Sequence, residues 1–114
     1  MNKTFDPNDY ESLRYACTAF FSHKWQLSVL TCLFDGPKHF GEILRLNPGI
    51  SKKVLSANLR KLESKGVISR HSYNEGAVLR VEYALTPQGE QLKTILEQLT
   101  VWGAENREKI TTED

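Results

Sequence analysis

Apolar residues in the middle of the chain recur with the spacing of an α-helix. The stripe consists of Leu55, Leu59 and Leu62. These positions are separated by four and three residues, so they share one face of a helix with about 3.6 residues per turn. Ser51 is a suitable N-cap, and Gly66 suits the position where the backbone must turn after the last helical residue. We therefore predict a helix from about Lys52 to Lys65 with its leucines buried.

The opposite half of this predicted helix carries positive charge and short side chains. Stepping 100° per residue from Leu55 places seven residues there or at its edge: Lys52, Lys53, Ser56, Ala57, Arg60, Lys61 and Ser64. A charged helical face taken alone is often no more than a solvated surface. Whether this charged face has a function depends on the elements that surround the helix.

The residues before this helix predict a compact helical unit. Helical spacing is found from Asp9 to Ser22 and, with more apolar residues, from Trp25 to Leu33. A short strand rung at Lys38 to Phe40 precedes a short helix from Gly41 to Leu46. Asn47, Pro48 and Gly49 predict a tight turn. A short helix, a turn and a basic helix in this order form a helix-turn-helix.

Two predicted strands and a last helix follow. Residues Val67 to Tyr73 and Val78 to Thr86 are rich in β-branched and aromatic residues, and Asn74 to Ala77 would form the turn between them. A hairpin directly behind a basic helix is typical of the wing of a winged helix. Pro87 then opens an amphipathic helix with the apolar stripe Leu92, Ile95, Leu96, Leu99 and Trp102.

The predicted fold class is therefore α+β, mainly α, a winged helix-turn-helix with additional helices at both ends. We expect one domain over residues 1–114. Within it, residues 9–34 form the N-terminal helices, 40–65 the helix-turn-helix, 67–86 the wing and 87–111 a C-terminal helix.

The composition and the motifs of the sequence argue against several classes of protein. The 114 residues are 39% hydrophobic and 25% charged, as in a soluble globular protein. No apolar run reaches the roughly 18 residues of a membrane span, and the polar N-terminus is unlike a secretory signal, so we expect a cytoplasmic protein without membrane contact. Catalytic motifs, a phosphate-binding loop and metal-ligand spacings are absent, and His23, His39 and His71 are isolated. We predict no enzyme, no cofactor and no metal.

The net charge of +1 hides a strong asymmetry along the chain. Between Lys38 and Arg80 there are nine basic and three acidic residues, whereas the remainder has six basic and eleven acidic ones. A basic middle between acidic ends is the pattern expected of a nucleic-acid-binding surface.

With these elements placed, the sequence resembles the HxlR-type winged helix-turn-helix regulators of bacteria over Cys17 to Gly103. No single matching piece is decisive, but their order and spacing together are specific. The matching pieces are Cys17, Lys24-Trp25, Gly36-Pro37, Phe40-Gly41-Glu42-Ile43, Pro48-Gly49-Ile50-Ser51, Leu55, Leu59-Arg60, Leu62-Glu63, Gly66, Val81-Glu82-Tyr83-Ala84-Leu85-Thr86, Gly89 and Trp102-Gly103.

This resemblance implies a homodimeric transcriptional regulator that places its basic helix in the major groove of double-stranded DNA. In the family the terminal helices build the two-fold dimer, so the implied interface is the stripe of the last helix, and a two-fold dimer implies a palindromic operator. Some members sense oxidants or electrophiles through the N-terminal cysteine, here Cys17. The sequence does not indicate an inducer.

The predicted DNA contacts lie on the basic helix and on the wing. Arg60 is the best candidate for a base contact, because a guanidinium can bridge guanine O6 and N7. Lys52 and Lys53 could clamp phosphate or contact bases near the helix N-terminus. We expect Lys61 and Lys65 to be merely solvated. The full predicted set is Ser51, Lys52, Lys53, Ser56, Ala57 and Arg60, with Arg70, Asn74 and Arg80 from the wing.

Some alternatives stay open at this stage. Cys17 could be a sensor thiol or a small hydrophobe packed beside Phe20, whereas Cys32 is expected in the core. The winged helix could be a protein-interaction module whose cations contact an acidic partner. It could also belong to a regulator that responds to a small molecule without thiol sensing.

Overall fold

The computed structural model describes residues 4–111 and confirms the predicted fold class, a mainly helical chain with a small antiparallel sheet in a winged helix-turn-helix. No helix in this described range is long and apolar enough to cross a lipid bilayer. In chain order the elements are α1 (Tyr10–Phe21), α2 (Lys24–Thr31), β1 (Lys38–His39), α3 (Phe40–Leu46), α4 (Lys52–Ser64), β2 (Ile68–Glu75), β3 (Val78–Leu85), α5 (Pro87–Glu105) and α6 (Arg107–Thr111).

The three strands form one antiparallel sheet in the order β1-β3-β2. The hairpin ladder runs from the pair Ile68 and Leu85 to the pair Glu75 and Val78. The predicted four-residue turn at 74–77 is wrong, because β2 continues through Glu75 and only Gly76 and Ala77 connect the strands. Gly76 has φ +64°, as a type II′ turn requires of its first central residue.

The core lies between α2, α3, α4 and the inner face of the sheet. The three predicted leucines of α4 are buried, and each such side chain contributes about 1.5–3 kcal/mol of burial free energy. The buried apolar residues are Val29, Leu30, Leu33, Ile43, Ile50, Leu55, Leu59, Leu62, Val67, Ile68, Tyr83 and Leu96.

Both predicted caps of α4 are confirmed. The Ser51 hydroxyl accepts a hydrogen bond from the Val54 amide at 3.1 Å. At the other end Gly66 has φ +81°. Its amide donates to the Glu63 carbonyl at 3.0 Å, and the Val67 amide donates to the Leu62 carbonyl at 3.3 Å. These two bonds form a Schellman motif, which fixes where α4 ends and how the chain enters β2.

The start of α5 is held against the end of α4. The Thr86 hydroxyl donates to the Gly66 carbonyl at 2.6 Å and accepts from the Gly89 amide at 3.1 Å. The Thr86 amide donates to the Val67 carbonyl at 3.1 Å. The long C-terminal helix is thus joined directly to the end of α4.

The C-terminal segment differs from the single helix predicted over residues 87–111. The structure has α5 and then α6, separated at Asn106, whose side-chain amide donates to the Trp102 carbonyl at 2.9 Å. This hydrogen bond caps α5, since it satisfies a carbonyl that the helix end would leave unpaired.

Candidate nucleic-acid interface

The burial of its leucines leaves the other face of α4 exposed to solvent. Its leucines are buried, so the opposite face points outward, with Lys52, Lys53 and Arg60 exposed. Within residues 4–111, none of these three cations makes an ion pair. Three long cationic side chains are therefore free to meet an anionic partner.

Shorter side chains lie between these cations. Ser56 and Ala57 are half-buried, so a surface approaching α4 could come close to its backbone there. Ser51 is exposed, but its hydroxyl already accepts from a backbone amide in the N-cap. Any contact of Ser51 with a phosphate would use its remaining donor capacity.

Val54 also lies on this face, although the sequence pattern did not indicate it. Its side chain is 38% exposed, and helical geometry puts it on the same half of α4 as Ala57 and Lys61. It was overlooked because an apolar residue in a helix is normally assigned to the core. On a DNA-facing helix, an exposed methyl-bearing side chain can contact the thymine methyl group.

The turn between α3 and α4 is fixed by a buried asparagine. Asn47 is 2% exposed, and its side-chain amide donates to the Ile43 carbonyl at 2.8 Å. Its side-chain oxygen accepts from the Ser28 hydroxyl at 2.5 Å. The Asn47 carbonyl accepts from the Ile50 amide at 3.1 Å. Asn47 therefore ties the turn to α2, a role that sequence analysis did not separate from ordinary turn formation.

The predicted wing residues do not all share a face. Directly paired residues of an antiparallel ladder lie on one face, and successive residues alternate. Arg70 and Asn74 are four residues apart on β2 and share one face. Arg80 pairs with Tyr73, so it lies on the other face, where its Nη2 is 3.5 Å from Oε1 of Glu75.

That second face also brings together histidines that seemed isolated in the sequence. The His71 ring stacks on Tyr73 with centroids 5.8 Å apart, and the His39 ring is 6.2 Å from Tyr73. Nδ1 of His39 lies 3.0 Å from the Val81 carbonyl oxygen. Among the residues that the structure describes, no three metal-ligating side chains converge on a point where an ion could bind.

Comparison with known proteins decides the family. The family model described as HxlR-like helix-turn-helix matches residues 20–111. The chain belongs to this HxlR-like family. The HTH-type transcriptional regulator YkvN of Bacillus subtilis is 45% identical over 80 residues, which cover 70% of this chain and 67% of YkvN.

Solved structures agree with this assignment. A transcriptional regulator of the MarR family from Enterococcus faecalis V583 superposes with a TM-score of 0.83 at 36% identity, covering 95% of this chain and 96% of that one. The redox regulator HypR in its reduced form gives a TM-score of 0.76 at 29% identity, covering 87% of this chain and 96% of HypR. This HxlR-like protein is thus a DNA-binding transcriptional regulator and not an enzyme.

The two cysteines of this HxlR-like regulator are both half-buried and both free thiols. The expectation that Cys32 lies in the core is wrong, because Cys32 is only half-buried and lines a pocket beside α2. Its thiol donates to the Ser28 carbonyl at 3.3 Å and accepts from the Asn47 amide at 3.2 Å. Cys17 lies on α1 near the half-buried Phe20. Exposure therefore does not distinguish the two thiols.

The predicted dimer stripe on α5 needs a correction. Leu96 is only 5% exposed and belongs to the core of its own protomer, and Leu92 packs against that core. Leu92 itself is half-buried. Ile95, Leu99 and Trp102 remain 59%, 47% and 53% exposed. Of the five residues of the predicted stripe, these three are exposed to a partner.

Lys65 is not merely solvated, contrary to expectation. Its Nζ donates to the Ala19 carbonyl and to the Gln26 side-chain oxygen, and it lies 5.1 Å from the centre of the Phe20 ring. Burial lowers the pKa of Lys65, and the nearby Lys61 lowers it further. The residue that caps the end of α4 therefore also ties that helix to α1 and α2.

Proposed function

We propose that this HxlR-like regulator acts as a homodimer on a palindromic operator, with α4 of each protomer in a major groove. The observation that supports this most strongly is the outer face of α4, where exposed Lys53 and Arg60 stand opposite buried leucines. Its proposed target, chromosomal DNA, makes the cytoplasm the expected location.

The proposed roles follow from the geometry of α4. Arg60 would contact a guanine edge, since its guanidinium is exposed and makes no ion pair within residues 4–111. Lys52 and Lys53 lie in the first turn, where the helix dipole also attracts phosphate. Val54 and Ala57 would pack against bases between these cations. Ser51 and Ser56 would donate to the DNA backbone from the same surface.

The wing would add contacts to the sugar-phosphate backbone. Arg70 and Asn74 share a face and are both exposed, so they could engage the same stretch of DNA. Arg80 lies on the opposite face beside Glu75. We propose that Arg80 meets phosphate only by reaching around the wing and giving up that weak surface ion pair.

The dimer would be held by the terminal helices. Ile95, Leu99 and Trp102 of α5 are exposed, as are Leu13 and Tyr15 of α1. Exposed apolar side chains concentrated on two neighbouring helices mark an interaction surface. A two-fold arrangement would bury the same patch on both protomers and present two copies of α4.

Thiol sensing through Cys17 is proposed as an additional property. It is supported by the likeness to HypR, which is described as a redox regulator, and by the place of Cys17 on α1. Modification there would disturb α1, which belongs to the proposed dimer surface. The expected result is that diamide changes DNA binding of the parent but not of Cys17→Ser.

The test of the function is selection of binding sites from a random duplex library. We expect an inverted repeat whose half-site centres are about 10 base pairs, or a multiple of this, apart. Enrichment of a single unrepeated site would contradict the dimeric mode. Failure to enrich any sequence, together with salt-independent behaviour, would favour the protein-interaction alternative.

A further inference from the structure

The far end of the wing extends past the edge strand β1 as a two-stranded ribbon. β1 pairs with β3 only at Lys38 and His39. Beyond that point β2 and β3 pair with each other alone, through four further rungs, of which the last is the pair Glu75 and Val78. At about 3.3 Å per residue these rungs span about 10 Å. Every residue from 74 to 80 is exposed, so the tip of the wing is open to a partner surface.

Two aliphatic side chains lie at this tip. Val78 is 53% exposed and Leu79 is 64% exposed. Single exposed apolar residues are ordinary on protein surfaces, but two neighbours at the end of a ribbon form apolar area that the protomer core does not cover. Leu79 pairs with Asn74 and therefore shares the face of Arg70 and Asn74, whereas Val78 lies on the opposite face.

The tip carries no net charge with which to hold phosphate. Glu75 and Arg80 are its charged residues, and they form an ion pair with each other at 3.5 Å. On the face of Leu79, the cation Arg70 lies four residues before Asn74, about 13 Å back along β2. A DNA duplex that meets Arg70 and Asn74 would therefore meet apolar atoms at the tip.

We propose that Leu79 enters the minor groove of the operator as an apolar wedge, about five base pairs from the centre of each half-site. This proposal rests on the proposed function, in which α4 occupies the major groove half a helical turn away. The minor groove is about 6 Å wide and about 7.5 Å deep. It admits one side chain from one face of the ribbon, but not two strands about 4.8 Å apart with their side chains. Leucine is among the residues that proteins insert between base steps, which unstacks the bases and kinks the duplex.

The wedge would give the regulator a preference at a place that it does not read by hydrogen bonds. The Leu79 side chain can neither donate nor accept, so it distinguishes sequences only by how easily they deform. Pyrimidine–purine steps such as TA and CA unstack readily, whereas A-tracts are stiff and have a narrow minor groove. We therefore expect a pyrimidine–purine step beneath each wing.

Fluorescence anisotropy of the whole protein on its selected operator tests the wedge. The operator is compared with one in which the step beneath each wing is replaced by part of an A-tract. The replacement should weaken binding of the parent about tenfold, whereas Leu79→Ala should bind both duplexes equally. On the selected operator Leu79→Ala should bind about tenfold more weakly than the parent, with the same salt slope, because no phosphate contact is lost. Leu79→Met keeps a long apolar side chain and should restore most of the affinity.

Val78→Ala is the matched control, since it shortens the neighbouring aliphatic side chain on the opposite face of the wing. It should bind both duplexes like the parent. Energy transfer between dyes at the two ends of the operator should show a larger bend with the parent than with Leu79→Ala.

Equal affinities of the parent and Leu79→Ala for the selected operator would overturn the wedge, and are expected if the tip meets a protein instead of DNA. Equal losses in Val78→Ala and Leu79→Ala would also overturn it. A parent that selects no operator would overturn the proposed function and the wedge together. A parent that selects an operator to which Leu79→Ala binds equally well would overturn the wedge alone.

Discussion

Gly89 on α5 lies so close to the Val67 carbonyl that a Cβ atom at this position would be 2.0 Å from the carbonyl oxygen. The obstacle is backbone, not a flexible side chain that could turn away. The close approach holds α5 against the end of α4. A glycine thus sets how the helix of the proposed dimer surface is attached to the helix of the proposed DNA surface.

Gly89→Ala should destabilise the fold, because α5 must move away from Val67 to make room for the methyl group. We expect a loss of about 1–3 kcal/mol of unfolding free energy, typical of an overpacked site, measured by urea denaturation. Gly41→Ala is the control, since its Cβ would meet only the Arg45 side chain at 3.8 Å. Equal denaturation midpoints for the two variants would show that the close approach is not rigid.

Asn47→Ala should weaken the turn that positions α4. It removes the donor to the Ile43 carbonyl and leaves the Ser28 hydroxyl without its acceptor, in a site that is nearly closed to water. Leaving a buried polar group unpaired costs about 1–3 kcal/mol. Thermal unfolding should show this loss, whereas Asn74→Ala on the exposed wing should stay within about 0.5 kcal/mol of the parent. Comparable losses in both variants would contradict the anchoring role.

The features that were predicted best from the sequence are those that depend on local periodicity and helix caps. The α4 stripe of Leu55, Leu59 and Leu62, with Ser51 and Gly66 at its ends, needs only the residues of that helix and its caps. The hairpin was predicted for the same reason, but its turn was predicted to begin two residues too early, at Asn74 instead of Gly76. In the observed two-residue turn, Gly76 is the first central residue. Residue preferences alone did not show at which residue the turn begins.

Features that depend on distant parts of the chain could not be predicted in this way. Lys65 is held by groups 39 and 46 residues earlier in the chain, so its own helix gave no sign of them. Leu96 looked like part of a free stripe, and only the docking of α5 buries it. Which face Arg80 occupies depends on strand register, which a one-residue slip would invert.

Ile95→Glu combined with Leu99→Glu should give monomers. Both side chains are exposed on α5, so the change adds charge to the proposed interface without opening the protomer core. Sedimentation at micromolar concentration should show a dimer for the parent and for Ala104→Glu, which helical geometry places opposite Ile95. A monomeric parent, or a double variant that remains dimeric, would contradict the proposed interface.

The lowered pKa of Lys65 predicts a pH dependence of stability. Below its folded pKa, Lys65 is charged in both states, and the folded state bears the full desolvation cost. As the pH rises toward the unfolded pKa of about 10.4, the folded lysine loses its proton first, so stability increases. The unfolding free energy of the parent relative to Lys65→Gln should therefore rise as the pH passes through the lowered folded pKa toward the unfolded value of about 10.4. A difference that stays constant or falls would contradict the desolvation of Lys65.

The most direct test of the account is a salt titration of DNA binding by Arg60→Ala and Lys53→Ala on a selected operator and on random duplex. Arg60→Ala should cost about 1–3 kcal/mol on the operator and relax preference at one base pair. Lys53→Ala, if it contacts phosphate, should weaken binding to both duplexes and lower the salt slope by about one. Lys109→Ala on α6 should bind like the parent. If Arg60→Ala and Lys53→Ala also bind both duplexes like the parent, α4 does not enter the major groove.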